Sequence, residues 1–228
     1  MILQCHAELV PLLRQVKGLS EVLARGESLP GFDAYSTLLS LPRLFATTLE
    51  TIPATIPYLS ADPARSATWA ARLGADRRFK IGIAWAGSAV HKDDQRRSMP
   101  LAALAPLSSI PGLLFVSLQK GPQAQQIQSQ PTGLAIVDWT ADLHDFADTA
   151  ALIAHLDLVI AVDTAVVHLA GAMGKPVWTL LASVPDWRWL LNRSDTPWYP
   201  TMRLFRQPTR GDWTSVVDQI AQSLTNRK

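Results

Sequence analysis

"VDTAVVHLAGAMGKP", residues 162–176, closes an apolar run and reads as the end of a buried strand turning directly into a helix. The run it closes, "LDLVIAVD" (156–163), is short and almost continuously apolar, and the same signal recurs along the chain. "FKIGIAWAG" (79–87), "LLFVSLQKG" (113–121), "LAIVD" (134–138) and "PVWTLL" (176–181) each read as a buried strand. Stretches of helical spacing lie among them at 100–108, 121–129, 145–155 and 164–173, and "WTSVVDQIAQSL" (213–224) predicts a last helix. Apolar strands alternating with helices imply a parallel sheet covered on both faces. Residues 79–228 therefore predict a doubly wound, Rossmann-like α/β domain.

The N-terminal part is less regular. "ILQCHAELVPLLRQV" predicts a strand running into a helix, and "FDAYSTLLSLPRLFATTL" a second short strand and helix. Residues 1–60 hold too few strands to close a good sheet and read as the tail of a domain. Pro53, Pro57 and Pro63 then punctuate a connector, and residues 61–78 are expected to be a linker.

Composition narrows the function classes. Of the 228 residues 48% are hydrophobic and 18% charged, a globular balance with ample length for a core. The formal net charge of +2 and the lack of a long Lys/Arg run argue against a nucleic-acid partner. The single cysteine, Cys5, excludes an intrachain disulfide framework and a multi-cysteine zinc site, which fits a reducing compartment. His155 and Asp157 break the best candidate for a membrane span, and the first residues lack a secretory signal pattern. A cytoplasmic location without a transmembrane segment is the expectation.

In open α/β sheets ligands bind beyond the carboxyl ends of the strands, where helix N-termini offer unpaired N–H groups and a positive dipole. Three such loops stand out. In the first, Asp163 or Thr164 can cap the helix while the amides of 164–166, Ala165 among them, face outward in a turn suited to phosphate. His168 falls about one turn further on, close enough to help neutralise a diphosphate. An ordinary N-cap with a core histidine is the plain alternative. The second loop, "WAGSAVHKDDQRRSMP" (85–100), is long for an α/β unit, and such loops are usually functional. Gly87 lets backbone approach a ligand, and Arg97, beside the next helix, is the better phosphate partner because guanidinium matches phosphate bidentately. His91 is the one candidate for a catalytic base. The third, "SLQKGP" (117–122), places Gln119 and Lys120 before a helix. Asp148 and Thr149 open a further helix, either near a ribose or as caps. Trp187, Trp189 and Trp198 crowd the arginine-rich segment 185–207, where cation–π stacking and packing compete with a base or sugar platform. There is no GxGxxG fingerprint, Walker A sequence, GxSxG elbow or HExxH pair, and no convincing metal spacing.

Taken together, the Asp-Thr-x-x-x-His-Leu-Ala run at 163–170, Arg97-Ser98-x-Pro100 and Gln119-Lys120-Gly121 resemble bacterial tetratricopeptide-linked glycosyltransferase-like proteins. Their catalytic portion is similar to the ADP-heptose heptosyltransferases of family 9 and, more remotely, to the O-linked N-acetylglucosamine transferases. The resemblance implies a GT-B fold, with two Rossmann-like domains across a cleft and the nucleotide-sugar donor on the C-terminal one. Residues 1–60 would be the later part of the acceptor-side domain. It also implies that the amides at 164–166 and His168 cradle the donor diphosphate, that Arg97 takes the place of a phosphate-binding lysine, and that Gln119 and Lys120 lie near base, ribose or phosphate. Ala165 departs from the glycine usual in the family. The glycine-rich turn that helps form the acceptor side, with its carboxylate base, has no counterpart here, as expected of a fragment or of a protein that has lost part of its enzyme.

The function so implied is transfer of a glycosyl group from a nucleotide-diphosphate sugar to an acceptor hydroxyl, with inversion. No cofactor and no metal are needed, because fixed positive groups act on the leaving diphosphate. A catalytically inactive nucleotide-sugar-binding module is the alternative, and a GT-B-type epimerase a third reading. The implied partners are a nucleotide sugar and a glycan or protein acceptor. The incomplete N-terminal sheet exposes an edge that invites a second copy of the chain into a homo-oligomer.

Overall fold

The computed structural model describes residues 1–88, 90–129 and 133–227. In chain order its strands are β1 (Ile2–Cys5), β2 (Glu21–Ala24), β3 (Phe79–Ala84), β4 (Leu113–Ser117), β5 (Ile136–Val137), β6 (Leu158–Val162), β7 (Val177–Leu181) and β8 (Met202–Arg206). The α-helices are α1 (Val10–Leu13), α2 (Leu41–Leu44), α3 (Pro63–Leu73), α4 (Asp94–Arg97), α5 (Phe146–Ile153), α6 (Ala165–Ala172) and α7 (Trp213–Thr225). β3 to β8 form one parallel sheet in the order β5-β4-β3-β6-β7-β8. The order runs outward in both directions from the β3/β6 pair, so the topological switch point lies between those two strands.

Alternation along the strands divides the core into two layers. Ile81, Ile83, Phe115, Ile160 and Leu180 face Leu104, Leu107, Val216, Val217 and Ile220 on one side. Val116, Val159 and Ala161 face Leu152, Ile153, Val167 and Leu169 of α5 and α6 on the other. Four helices begin on a side-chain cap: Asp62 on the Arg65 amide, Asp145 on Asp148, Thr164 on Val166 and Asp212 on Ser215. The stretches expected as helices at 100–108 and 121–129 are 3-10 turns, Leu101–Ser109 and Pro122–Ser129. Pro106 removes an amide from the first of them.

Three departures from expectation concern connectivity. The second N-terminal strand is Glu21–Ala24, paired in parallel with Ile2–Cys5, and the "FDAY" stretch forms no strand because it has no partner. Residues 61–78, expected as a linker, hold the eleven-residue helix α3. Asp62 caps it, Pro63 fits its first position, and Trp69 and Leu73 are buried in the core shared with α5. Arg65 bridges Asp145 and Asp148 at 2.7 Å each, and Arg72 stacks over Trp69 while pairing with Asp142. β8 was hidden by its aromatic and arginine-rich surroundings. It is the sixth strand at the sheet edge, and its Leu204 and Phe205 are buried. Leu12 of α1 also joins the main core, so the two-stranded N-terminal sheet is tied to the same body.

Gly171, in α6, shows how tightly the layers meet. A Cβ there would stand 2.7 Å from two ring carbons of Tyr199. Gly171→Ala should therefore destabilise the fold by about 1–2 kcal/mol, overpacking outweighing the helical preference for alanine. Urea denaturation midpoints of the two proteins measure it.

Candidate functional site

A cleft of about 660 Å³ opens at the carboxyl ends of β3, β4 and β6, over the switch point. Its walls come from the segment after β3 (Ala86, Gly87, Ser88, Arg97), the segment after β4 (Leu118–Gln123), the turn before α5 (Leu143–Phe146), Thr149, and the start of α6 (Thr164, Ala165, Val166). One residue of the N-terminal part, Glu8, reaches the same cleft.

The long segment after β3 is folded back on itself. Met99 donates to the carbonyl of Trp85, the Gly87 amide to Ser98 Oγ, and Ser98 Oγ to Asp94, each at 2.9 Å. This brings Arg97 across Gly87, where a Cβ would stand 2.5 Å from the guanidinium. Glycine is required there by close approach of a side chain. Arg97 Nη1 donates to the main-chain carbonyl of Asp163 at 3.0 Å, and its Nε faces Asp94 at 3.6 Å. A half-buried guanidinium is thus fixed at the start of α6. Thr164 Oγ1 accepts from the Val166 amide, the Val167 amide donates to the Thr164 carbonyl, and Thr164, Ala165 and Val166 line the cleft. Arg97, Thr164 and Ala165 stand together as expected.

Other expected residues do different work. Gln119 is 3% exposed, and its Oε1 accepts from the Trp85 and Ala86 amides at 2.9 and 2.8 Å. It latches the strand end of β3 to that of β4 and offers the cleft its surface, not its polar atoms. Lys120 Nζ donates to the carbonyls of Thr140 and Leu143, clamping the wall before α5. Asp148 turns from the cleft to Arg65 and the His144 amide, so of its two expected roles only the helix start is occupied. Thr149 lines the cleft while its hydroxyl donates to the Asp145 carbonyl. His91 lies on the exposed outer side of its segment, off the cleft, and its Nδ1 accepts from the Asp93 amide.

His168 differs most from expectation. It is not among the residues lining the cleft and stacks on Trp189 at 5.3 Å between ring centres. Nδ1 meets Tyr199 Oη at 3.1 Å, Nε2 meets Arg188 Nη1 at 3.3 Å, and Asp163 Oδ1 is 3.9 Å from Nε2. Burial lowers its pKa, and Arg188 adds to that against the opposing pull of Asp163 and Asp186. Expected beside a diphosphate, it is here held between Arg188 and Tyr199. The physical reason is helical geometry: four residues into α6, position 168 faces the neighbouring loop 182–200 and not the strand ends. Burial, reinforced by the adjacent Tyr58 hydroxyl, likewise holds Tyr199 above the ordinary tyrosine range, so it remains a neutral phenol.

Sequence reasoning passed over Glu8, Asp145 and Arg188. Nothing in the sequence brings Glu8 near a turn 130 residues away, although a carboxylate just after a strand was visible. Among the described residues no cluster of three or more His, Cys, Asp or Glu could hold a metal, and no helix is long and apolar enough to cross a membrane.

Residues 135–211 match glycosyltransferase family 9 (heptosyltransferase). Protein FlbA of Caulobacter vibrioides is 31% identical over 198 residues, covering 85% of this chain and 33% of FlbA, so the chain spans about a third of that relative. Among solved structures, E. coli ADP-heptose lps heptosyltransferase II superposes with a TM-score of 0.62 at 12% identity, over 98% of this chain and 88% of the other. E. coli heptosyltransferase WaaC with ADP gives 0.50 at 15% identity, over 87% and 60%. At these identities the structures show the fold, an α/β architecture with a six-stranded parallel sheet like that of the GT-B heptosyltransferases.

Two measurements check the geometry. Gln119→Leu strands two buried amides and should cost about 2–6 kcal/mol in urea unfolding, at 1–3 kcal/mol for each unpaired group. His168 supplies a pH dependence. The unfolded chain protonates this histidine near pH 6.5, whereas the native state resists, so the native state binds fewer protons and loses stability as pH falls below that value. Melting temperatures from pH 7.5 to 5 should therefore fall less steeply in His168→Gln than in the wild type.

Proposed function

We propose that this chain binds a nucleotide-diphosphate sugar in the cleft at the β3/β6 switch point and takes part in glycosyl transfer from it to an acceptor hydroxyl. The observation that carries this reading is the convergence of Arg97 with the Thr164, Ala165 and Val166 main chain on one cleft. The positive end of the helix dipole and a fixed guanidinium are groups that suit a diphosphate leaving group. The family 9 match over 135–211 includes the start of α6 and supports the same assignment, as does the presence of ADP in the WaaC structure.

In this mechanism the acceptor oxygen attacks the anomeric carbon on the face opposite the diphosphate. The bond from that carbon to the diphosphate oxygen breaks, and its electron pair leaves with the nucleotide. A base removes the proton of the attacking hydroxyl, and configuration inverts. Arg97 and the positive end of the α6 dipole offset the negative charge that develops on the departing diphosphate, in place of a metal ion. The pocket beside Gln119, Lys120, His144 and Phe146 would take the nucleoside.

A second reading, a binding module without transfer, draws on the carboxylates of the cleft. Among the described lining residues these are Glu8 and Asp145, and Asp145 is committed to Arg65 and the Asp148 amide. Release of free sugar from a bound donor separates the readings: turnover supports the enzyme, tight binding without it the module.

Calorimetric titration with ADP, UDP and GDP tests the site. One of them should bind, and Arg97→Ala should weaken it about tenfold, equivalent to about 1.4 kcal/mol. Absence of binding by all three would overturn the assignment.

A further inference from the structure

We propose that Arg188, carried on the loop after β7 and aimed by a neutral His168, is a second cation of the diphosphate site. This rests on the donor-binding reading above and deepens it. The argument begins with hydrogen-bond direction. A guanidinium can only donate, so His168 Nε2, 3.3 Å from Arg188 Nη1, is an acceptor and carries no proton. The proton of the neutral ring is then on Nδ1, which donates to Tyr199 Oη at 3.1 Å. Stacking on Trp189 fixes the plane of the ring, and Tyr199 in turn packs on Gly171 of the same helix. His168 is therefore a rigid, oriented acceptor aimed at Arg188, as second-sphere groups elsewhere fix the group that meets the substrate.

Topology brings the segments of Arg97 and Arg188 to the two sides of β6. β6 lies between β3 and β7, and the two arginines come from the segments following those flanking strands. Arg97 holds the main-chain carbonyl of Asp163, while Arg188 meets the histidine whose Nε2 lies 3.9 Å from the Asp163 carboxylate. Both guanidiniums are thus linked to Asp163, Arg97 directly and Arg188 through His168. Arg188 is also loosely committed: Nε pairs with Asp186 at 2.9 Å, Nη2 reaches the same carboxylate only at 3.5 Å, and Nη1 spends its bond on a neutral ring. Its side chain is 39% exposed, so its donors can regroup on a phosphate that docks at the helix start. Arg188 would touch the ligand; His168 acts through it and is a positioning residue.

The test compares a nucleoside diphosphate, whichever of ADP, UDP and GDP binds most tightly, with its monophosphate on the whole chain. Arg188→Ala should weaken the diphosphate about tenfold and the monophosphate less than twofold, with Arg188→Lys intermediate and melting temperatures confirming folded variants. His168→Ala should weaken the diphosphate about fivefold. His168→Gln, whose Oε1 replaces the Nε2 acceptor, should restore it to within twofold of wild type. Equal diphosphate affinity in Arg188→Ala, or an equal loss for the monophosphate, overturns the proposal while the donor-site reading stands. Equal behaviour of His168→Gln and His168→Ala overturns the positioning role. Failure of the wild type to bind any of the nucleotides overturns the donor-site reading, and this inference with it.

Discussion

The bond from Arg97 to the main-chain carbonyl of Asp163 joins the two halves of the sheet at the point where strand order reverses. Everything on the cleft depends on that tie. It is favoured by Gly87, because a side chain there would push the guanidinium from its place. It requires the back-folded segment 85–99, whose Ser98 and Asp94 hold the turn carrying Arg97. It also uses a carbonyl at the very start of a helix, so the same contact that ties the strand ends places positive charge beside the first turn of α6.

Helix α6 is held at both ends. Its first turn faces the cleft, and its last is clasped by the connector, where the Tyr58 and Leu59 amides donate to the Ala172 carbonyl at 2.9 and 3.2 Å. Tyr199 bridges the length between, packed on Gly171 and bonded to His168. A short helix with few charges and a largely apolar face would otherwise be a weak element in isolation. Packing on every side makes it a rigid mount, which is what preorganised electrostatics needs.

The outer wall of the cleft is stabilised by groups that sequence reasoning had given to the ligand. Lys120 clamps two carbonyls, Gln119 latches two amides, and Asp148 joins Asp145 on Arg65 of α3. Each is a polar side chain near a strand end or helix start, the same description that fits a ligand contact. Buried backbone groups need partners as much as a substrate does, and here the backbone has taken them.

How much was legible follows from the range of each interaction. Apolar runs at 79–87, 113–121 and 156–163, and the Asp163-Thr164 cap, are local signals, and they determined the parallel α/β sheet and the helix start where phosphate chemistry was sought. Arg97 was singled out beside the turn near Pro100, whereas its contact at the start of α6 spans 66 residues. The helix in 61–78 was missed where prolines masked a cap, and β8 where aromatics masked alternation. Side-chain direction was not legible at all. Whether His168 faces the strand ends or Arg188, whether Lys120 reaches solvent or the Thr140 carbonyl, and whether Glu8 meets a cleft built 80 to 150 residues later are decided by contacts between distant segments. Sequence alone determined the parallel α/β sheet and the cap that starts α6. Tertiary packing decided which polar groups remain free for it, because hydrogen-bond partners brought together by the fold are claimed before any ligand arrives.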